Sequence, residues 1–113
     1  MRDVVKQICD DDEFMEVMPY FAANLVIGYC RLEGRTVGII ANQPHVLGEH
    51  LIVMLLIGVV RTCDCYGIPL LVFVDVPGFY LGAKEEKKGI LRHGCKMLYA
   101  FSEATVPKVT VIM

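Results

Sequence analysis

Apolar residues fall into runs along the chain that predict strands and helices in alternation. The runs 24–32 and 35–41 are rich in β-branched residues, and a Glu-Gly pair between them predicts a hairpin. Residues 48–66 are too long for one strand, and Gly67 follows them, as glycine does at the carboxyl end of many helices. Because apolar positions lie almost all round this segment, we expect a helix that is buried on most sides.

The second half of the chain repeats this alternation. Residues 70–75 are almost continuously apolar, which predicts a strand with both faces of its sheet covered. Helical periodicity then starts at Glu85 or Gly89 and continues to Glu103, and a last strand is expected over 108–113. The sequence therefore predicts an α/β fold with the element order β-β-α-β-α-β.

Upstream of the hairpin the pattern is weaker. Residues 12–18 predict a short helix that Pro19 ends, and the acidic cluster 10–13 would form its solvated entrance. No internal repeat, linker or low-complexity tract divides the sequence, so we expect a single domain.

Composition narrows the function classes. The 113 residues suffice for one hydrophobic core. With 55% hydrophobic and 21% charged residues, the chain is expected to cover part of its apolar surface by contact with other domains or chains. The net charge is −2 and no Lys/Arg-rich run occurs, which argues against nucleic-acid binding. The apolar run 51–60 is well short of the roughly 20 residues that a membrane helix needs, so no membrane association is expected. No secretion signal is visible.

The chain has five cysteines, an odd number that follows no disulfide framework. We therefore expect a reducing compartment. Cys63 and Cys65 could form half of a zinc site, but no second Cys/His pair has suitable spacing. No metal is predicted.

The most informative segment is Asp75-Val-Pro-Gly-Phe79 followed by Gly89-Ile-Leu-Arg-His-Gly-Cys-Lys96. A buried strand here runs into a turn and then into a glycine-rich helix start, an arrangement that presents backbone N–H groups to an anion. Together with the series 17–20, 34–44 and 97–111, this segment resembles the carboxyltransferase (beta) subunits of biotin-dependent acyl-CoA carboxylases. The resemblance runs from near Glu13 to the end of the chain.

The resemblance implies a partial crotonase-like ββα spiral, of the ClpP/crotonase type, with residues 1–113 forming one partial domain of the C-terminal carboxyltransferase domain. It implies carboxyl transfer from carboxybiotin to an acyl-CoA of the propionyl-CoA or acetyl-CoA type. Biotin would arrive on a partner carrier domain. The implied partners are a biotin carboxyl carrier or biotin carboxylase subunit and further copies of the chain, in the bacterial cytoplasm or mitochondrial matrix.

The resemblance also implies site residues. The backbone N–H groups of Gly94 and Cys95 would form an oxyanion hole for the biotin oxygen, a type of site in which one lost donor costs about 3 kcal/mol. The positions expected to bind biotin or substrate are Pro77, Gly78, Phe79, Tyr80, Asn42 and Gln43. The thioester hole would belong to another domain, so the isolated chain is expected to be inactive or nearly so.

Other interpretations stay open. Gly94 could serve close helix-to-sheet packing, Asp75 could cap a turn, and Cys95 beside His93 could form a thiol enzyme. A crotonase-like hydratase, isomerase or decarboxylase would use one oxyanion hole for an acyl-CoA and would not bind biotin. A non-catalytic assembly fragment is favoured by the apolar run 51–60, which replaces a polar stretch usual in the family.

Overall fold

The computed structural model of the chain describes residues 1–21, 23–43, 51–76, 82–87 and 89–113, with the side chains of 51–53, 84 and 85 outside the described part. The elements in chain order are α1 (Arg2–Ile8), a 3-10 turn (Asp10–Asp12), β1 (Phe14–Glu16), β2 (Leu25–Leu32), β3 (Arg35–Asn42), α2 (Leu51–Tyr66), β4 (Leu70–Val74), α3 (Ala83–Lys87), α4 (Ile90–Glu103) and β5 (Lys108–Ile112). From β2 onward the strands and the two long helices occur in the order that the sequence predicts.

Of the two predicted starts of the last helix, Gly89 is confirmed and Glu85 is not. Helix α4 begins at Ile90, directly after Gly89, whose φ of +81° lies outside the helical region, and Glu85 lies in the separate helix α3. The helix over 12–18 is wrong, since Asp11 and Asp12 have φ values of 56° and 57° and the chain then forms β1. Pairing of β1 with β2 overrides the local helical pattern.

The five strands form one sheet in the order β1-β2-β3-β4-β5. The first three pair antiparallel, whereas β3, β4 and β5 pair parallel. Parallel neighbours need crossover connections, and these contain α2 in the first case and α4 in the second. The carboxyl ends of β3, β4 and β5 therefore share one edge of the sheet, and the helices α2 and α4 begin at that edge.

Two prolines mark the start of the parallel pairing. The Gly38 N–H donates to the carbonyl of Pro69 at 2.8 Å, and the Leu70 N–H donates to the carbonyl of Pro107 at 2.9 Å. Each proline directly precedes a strand, where its missing N–H leaves no gap in the ladder. The same contact thus begins the pairing at both parallel interfaces.

Side chains of successive strand residues alternate between two apolar layers. Toward α2 and α4, Ile27, Ile40 and Leu70 are at most 2% exposed. On the other face, Ile39 and Phe73 pack with residues of α1. The prediction that β4 is covered on both faces is confirmed, because Leu70 and Phe73 are both buried in opposite layers.

Helix α2 differs from its prediction, because its described side chains, from Met54 onward, are buried on one side only. Leu56, Val60 and Cys63 face the sheet and are buried, whereas Met54 is 58% exposed and Tyr66 is 75% exposed. Its predicted glycine cap is present, since Gly67 follows with a φ of +67°.

Gly38 on β3 sets how closely α2 approaches the sheet. A Cβ atom at this position would lie 2.5 Å from the Cys63 sulfur and 3.3 Å from Leu70 Cδ2. Burial, with a smaller contribution from the neighbouring Cys63 thiol, raises the pKa of Tyr29, the residue of β2 that pairs with Gly38. Glycine at position 38 therefore leaves room for the Cys63 side chain of α2 against the strand.

Asp64 joins the end of α2 to the connection between α4 and β5. Its carboxylate accepts hydrogen bonds from the Thr105 backbone N–H at 2.7 Å and from the Thr105 hydroxyl at 2.9 Å. These donors stabilise the charged form, so they lower the pKa of Asp64 below its ordinary value of 3.8.

Several polar contacts hold the amino-terminal segment on the sheet. Arg2 donates to the Glu16 carboxylate at 2.7–3.0 Å through both Nε and Nη2. The Asp10 carboxylate accepts the N–H groups of Glu33 and Gly34 at the hairpin turn, at 3.0 and 2.7 Å. Within the acidic cluster, Asp10 therefore caps the hairpin turn and does not serve a helix entrance.

We expect Gly38→Ala to lower the free energy of unfolding by about 1–3 kcal/mol, because the added methyl group overpacks the contact with Cys63. Urea denaturation measures the change. Gly58→Ala on α2 is the matched control, since nothing lies within 4 Å of its Cβ position. A helical Gly→Ala change there should stabilise by about 0.5–1 kcal/mol. Adding Cys63→Ala to Gly38→Ala should recover part of the loss, and purely additive effects would contradict the contact.

We expect Asp64→Asn to destabilise the chain at pH 7 and to lose that effect in acid. A lowered folded-state pKa gives stability that is present above pH 3.8 and is lost as pH falls through the folded-state pKa. Urea midpoints of wild type and variant should therefore converge once the pH falls below the folded-state pKa, which itself lies below 3.8. Asp3→Asn, at an exposed position of α1, is the control. A gap between Asp64→Asn and wild type that persists unchanged in acid would contradict the assignment.

Candidate functional site

The carboxyl edge of the parallel strands is the candidate site. Open α/β sheets bind ligands outside the carboxyl ends of their strands. Here β3 ends at Asn42, β4 ends at Val74 and is followed by Asp75, and α4 starts at Ile90. The fold therefore brings Asn42, Asp75 and the amino end of α4 to the same edge, although they are distant in sequence.

Gln43 provides an unusual polar group at this edge. Its backbone N–H donates to the Asn24 carbonyl at 2.8 Å, which fixes the chain just beyond β3. Its side-chain oxygen Oε1 is buried and has no hydrogen-bond partner among the described residues. An unsatisfied buried acceptor costs about 1–3 kcal/mol, so this oxygen is suited to a ligand N–H donor.

The start of α4 supplies a second set of polar groups. The first intrahelical bond joins the His93 N–H to the Gly89 carbonyl at 3.0 Å. The N–H groups of Ile90, Leu91 and Arg92 precede it and have no carbonyl partner inside the helix. Backbone donors at a helix start attract anions.

Gly94 and Cys95 lie one turn farther into α4. In an α-helix their N–H groups donate to the carbonyls of Ile90 and Leu91. Gly94 is buried, and Cys95 is exposed. A ligand would reach these two N–H groups only if the first turn of α4 opened, so the oxyanion hole at Gly94 and Cys95 stays a prediction.

The sequence does carry a signal for the position of these free N–H groups, although the family resemblance points to Gly94 and Cys95 instead. Gly89 opens the second motif, and its positive φ starts the helix there. The available donors consequently lie one turn before the Gly-Cys pair. The predicted binding residues Pro77, Gly78, Phe79 and Tyr80 lie outside the described residues.

The described thiols differ in availability. Burial, with a smaller contribution from the neighbouring Cys9, raises the pKa of Cys30 to about 12. Burial also raises the pKa of Cys63. Both are therefore poor nucleophiles at neutral pH. Cys65 and Cys95 are exposed.

Two further features of the described residues bear on function. No group of three or more His, Cys, Asp or Glu side chains in this part of the chain could hold a metal ion. An open groove of about 540 Å³ is lined by residues that include Phe14, Tyr29 and Thr36. Thr36 is near the start of β3, so this groove lies away from the candidate edge.

Comparison with known proteins identifies the family. The family model described as the carboxyl transferase domain matches residues 1–113. The chain belongs to the carboxyl transferase domain family. This carboxyl transferase domain chain is 52% identical over 115 residues to the mitochondrial propionyl-CoA carboxylase beta chain of Rattus norvegicus, covering 99% of the chain and 21% of that protein.

Two other similarities bear on substrate and fold. The methylmalonyl-CoA decarboxylase subunit alpha of Veillonella parvula is 49% identical, over 99% of this chain and 23% of that protein. A solved structure of transcarboxylase 12S, with methylmalonyl-coenzyme A and methylmalonic acid bound, superposes with a TM-score of 0.92 at 48% identity, covering 98% of this chain and 22% of the other. The carboxyltransferase fold, of crotonase type, is therefore confirmed. The chain spans about a fifth of the length of these relatives.

None of the described helices is both long enough and apolar enough to cross a bilayer.

We expect two thiols of the folded chain to react rapidly with a water-soluble disulfide reagent, because Cys65 and Cys95 are exposed and the other three are buried. In urea all five should react. Colorimetric titration measures both stages, and Cys65→Ser and Cys95→Ser should each remove one rapid equivalent. Rapid reaction of a third thiol in the folded chain would contradict the burial of Cys9, Cys30 and Cys63.

Proposed function

We propose that this carboxyl transferase domain chain is part of an enzyme that moves a carboxyl group between biotin and an acyl-CoA. The observation that carries the proposal is the match to one family over the whole chain, with relatives near 50% identity that are named for acyl-CoA carboxylation or decarboxylation. Within such an enzyme, residues 1–113 would form part of the C-terminal domain.

The proposed acyl group is propionyl, with methylmalonyl as its carboxylated form. One relative is named for propionyl-CoA and another for methylmalonyl-CoA, and the transcarboxylase structure holds methylmalonyl-CoA. These two thioesters are related by one carboxyl group. Because relatives named as a carboxylase and as a decarboxylase share this segment, we propose that partner domains determine the direction of transfer.

The described residues fit the ring of biotin. Biotin, when bound, supplies or receives the carboxyl group. The buried Gln43 Oε1 can accept an N–H of the ureido ring, and it lacks any other donor among the described residues. The N–H groups of Ile90, Leu91 and Arg92 can stabilise negative charge on an oxygen, and preorganised donors of this kind strengthen as charge develops.

The resemblance supports a different donor pair, Gly94 and Cys95. Under that assignment the identity of the Cys95 side chain has little effect on the oxyanion hole, because the backbone N–H groups donate the hydrogen bonds. The helical geometry favours the three donors before them. In either case α4 directs its amino end toward the ligand, and the proposed function does not depend on which donors are used.

The chain alone would not complete the reaction. A second site must stabilise the thioester, and we propose that it belongs to another domain. The proposed partners are a subunit that carries biotin and further copies of the carboxyltransferase, since the transcarboxylase relative is described as a hexamer assembly. The rat relative is named as mitochondrial, so the proposed compartment is the mitochondrial matrix or the bacterial cytoplasm.

Ligand-observed NMR can test the proposal on the chain itself. We expect saturation transfer from the folded chain to biotin methyl ester and an increase of about fivefold in Kd for Gln43→Leu, which corresponds to the loss of about one hydrogen bond. Thr36→Val is the matched control, because Thr36 lies near the start of β3, whereas Gln43 directly follows the end of that strand. Its Kd should equal that of wild type.

The same experiment separates the alternatives. Transfer to propionyl-CoA with none to biotin methyl ester would favour a crotonase-like hydratase, isomerase or decarboxylase. Transfer to neither ligand from a folded chain would contradict a biotin site within these residues and would favour an assembly fragment.

A further inference from the structure

A pair of thiols is buried between α1 and the sheet. Cys9, which directly follows α1, is 7% exposed, and Cys30 on β2 is 5% exposed. Both belong to the apolar layer that contains Val5 and Ile39. Their burial arises within this chain, so it does not depend on what covers the exposed faces. Cys30 pairs with Val37 near the hairpin turn, away from the candidate site at the carboxyl edge.

Polar contacts on both sides of the pair hold the segment 9–13 against β2. The Asp10 carboxylate, next to Cys9, accepts two N–H groups of the hairpin turn that follows β2, at 2.7 and 3.0 Å. On the other side, Arg31, next to Cys30, donates to the Glu13 carboxylate at 3.2 Å. The backbone that carries one thiol is therefore tied to the backbone that carries the other.

The two sulfur atoms are neighbours within this clamp. The Cys9 thiol donates to the Val5 carbonyl at 3.0 Å, one turn back along α1. Burial, with smaller contributions from the neighbouring Cys9 thiol and from Asp10, raises the pKa of Cys30 to about 12. A thiol with this pKa is almost wholly protonated at neutral pH, so Cys30 does not react with oxidants while α1 covers it.

We propose that Cys9 and Cys30 are a redox-active dithiol, which forms an intramolecular disulfide and thereby locks α1 onto β2. Buried cysteines commonly serve as small apolar residues. These two differ because they adjoin one another and come from elements about twenty residues apart in sequence, so a bond between them closes a loop. Closing a loop of about this size favours the folded state by roughly 100-fold in the folding equilibrium constant.

The oxidant class that fits this dithiol is a small disulfide, and the reaction is thiol–disulfide exchange. When α1 lifts from the sheet, the Cys9 thiolate attacks one sulfur of the small disulfide and expels the other as a thiolate. As α1 returns, the Cys30 sulfur attacks the mixed disulfide at Cys9 and releases the second small thiol, while its own proton passes to an expelled thiolate. The protein thiols lose two electrons and two protons, and the small disulfide becomes two thiols.

The test uses the 113-residue chain with Cys65→Ser and Cys95→Ser, which retains the three buried thiols. Equilibrated with mixtures of reduced and oxidised glutathione, it should lose the mass of two hydrogen atoms, and peptide mapping in acid should show Cys9 joined to Cys30. Cys63 should stay reduced, because it lies in the opposite apolar layer. The disulfide equilibrium constant of the folded chain should exceed that of the same chain in urea by roughly 100-fold.

Urea denaturation gives an independent value for that ratio. Folding and disulfide formation share one thermodynamic cycle, so the oxidised chain should have a folding equilibrium constant larger than that of the reduced chain by the same factor. In the same background, Cys63→Ala is the matched control for a buried thiol outside the pair and should still lose two hydrogen masses. Cys9→Ser should lose none.

The result from the parent chain stands even where a variant folds poorly. A disulfide between Cys30 and Cys63, glutathione mixed disulfides as the end product, or equal disulfide equilibrium constants in the folded chain and in urea would each overturn the proposal. The proposal is independent of biotin and acyl-CoA binding, because neither Cys9 nor Cys30 lies at the carboxyl edge.

Discussion

The parallel pairing of β3, β4 and β5 is the constraint on which the rest of the structure depends. Parallel strands cannot be joined by a tight turn, so each interface requires a crossover that returns the chain to the starting edge. The carbonyls of Pro69 and Pro107 accept the N–H groups of Gly38 and Leu70 where the two pairings begin. Once this register is set, α2 and α4 must lie side by side on one face and must both begin at the carboxyl edge.

That constraint explains why the polar groups of the candidate site converge. Asn42, Gln43 and Asp75 follow strands that end at one edge, and the first N–H groups of α4 lie at the same edge. Asp64 acts at the opposite end of the helices, where its contact with Thr105 holds α2 to the end of α4. Helices α2 and α4 are therefore held together by packing along their length and, at the end remote from the site, by the hydrogen bonds of the Asp64 carboxylate.

The sequence predicted the strands and long helices well where side-chain periodicity and turn chemistry agreed. The hairpin around Glu33-Gly34 and the strand at 70–75 are examples, since each depends on local pattern and on burial in one sheet. Prediction failed at 12–18, where two aspartates with positive φ and pairing with β2 outweigh helical propensity. A local sequence pattern contains no information about pairing with a strand that lies farther along the chain.

The site was predictable only in outline. The resemblance led to α4, but the choice of Gly94 and Cys95 depended on where the helix starts, and a shift of one turn changes which N–H groups are free. The orphaned oxygen of Gln43 depends on burial by neighbours, which no motif encodes. The exposed side of α2 could not be foreseen either, because an apolar run does not reveal how many of its sides find a partner.

Helix α1 is held on the sheet by packing and by polar contacts. Val5 is fully buried among Ile39, Phe73 and their neighbours, and Arg2 and Asp10 anchor the segment from both ends. α1 is therefore an integral part of the second layer and not an appendage. A version of the chain that lacks α1 would leave that face of the sheet open to water.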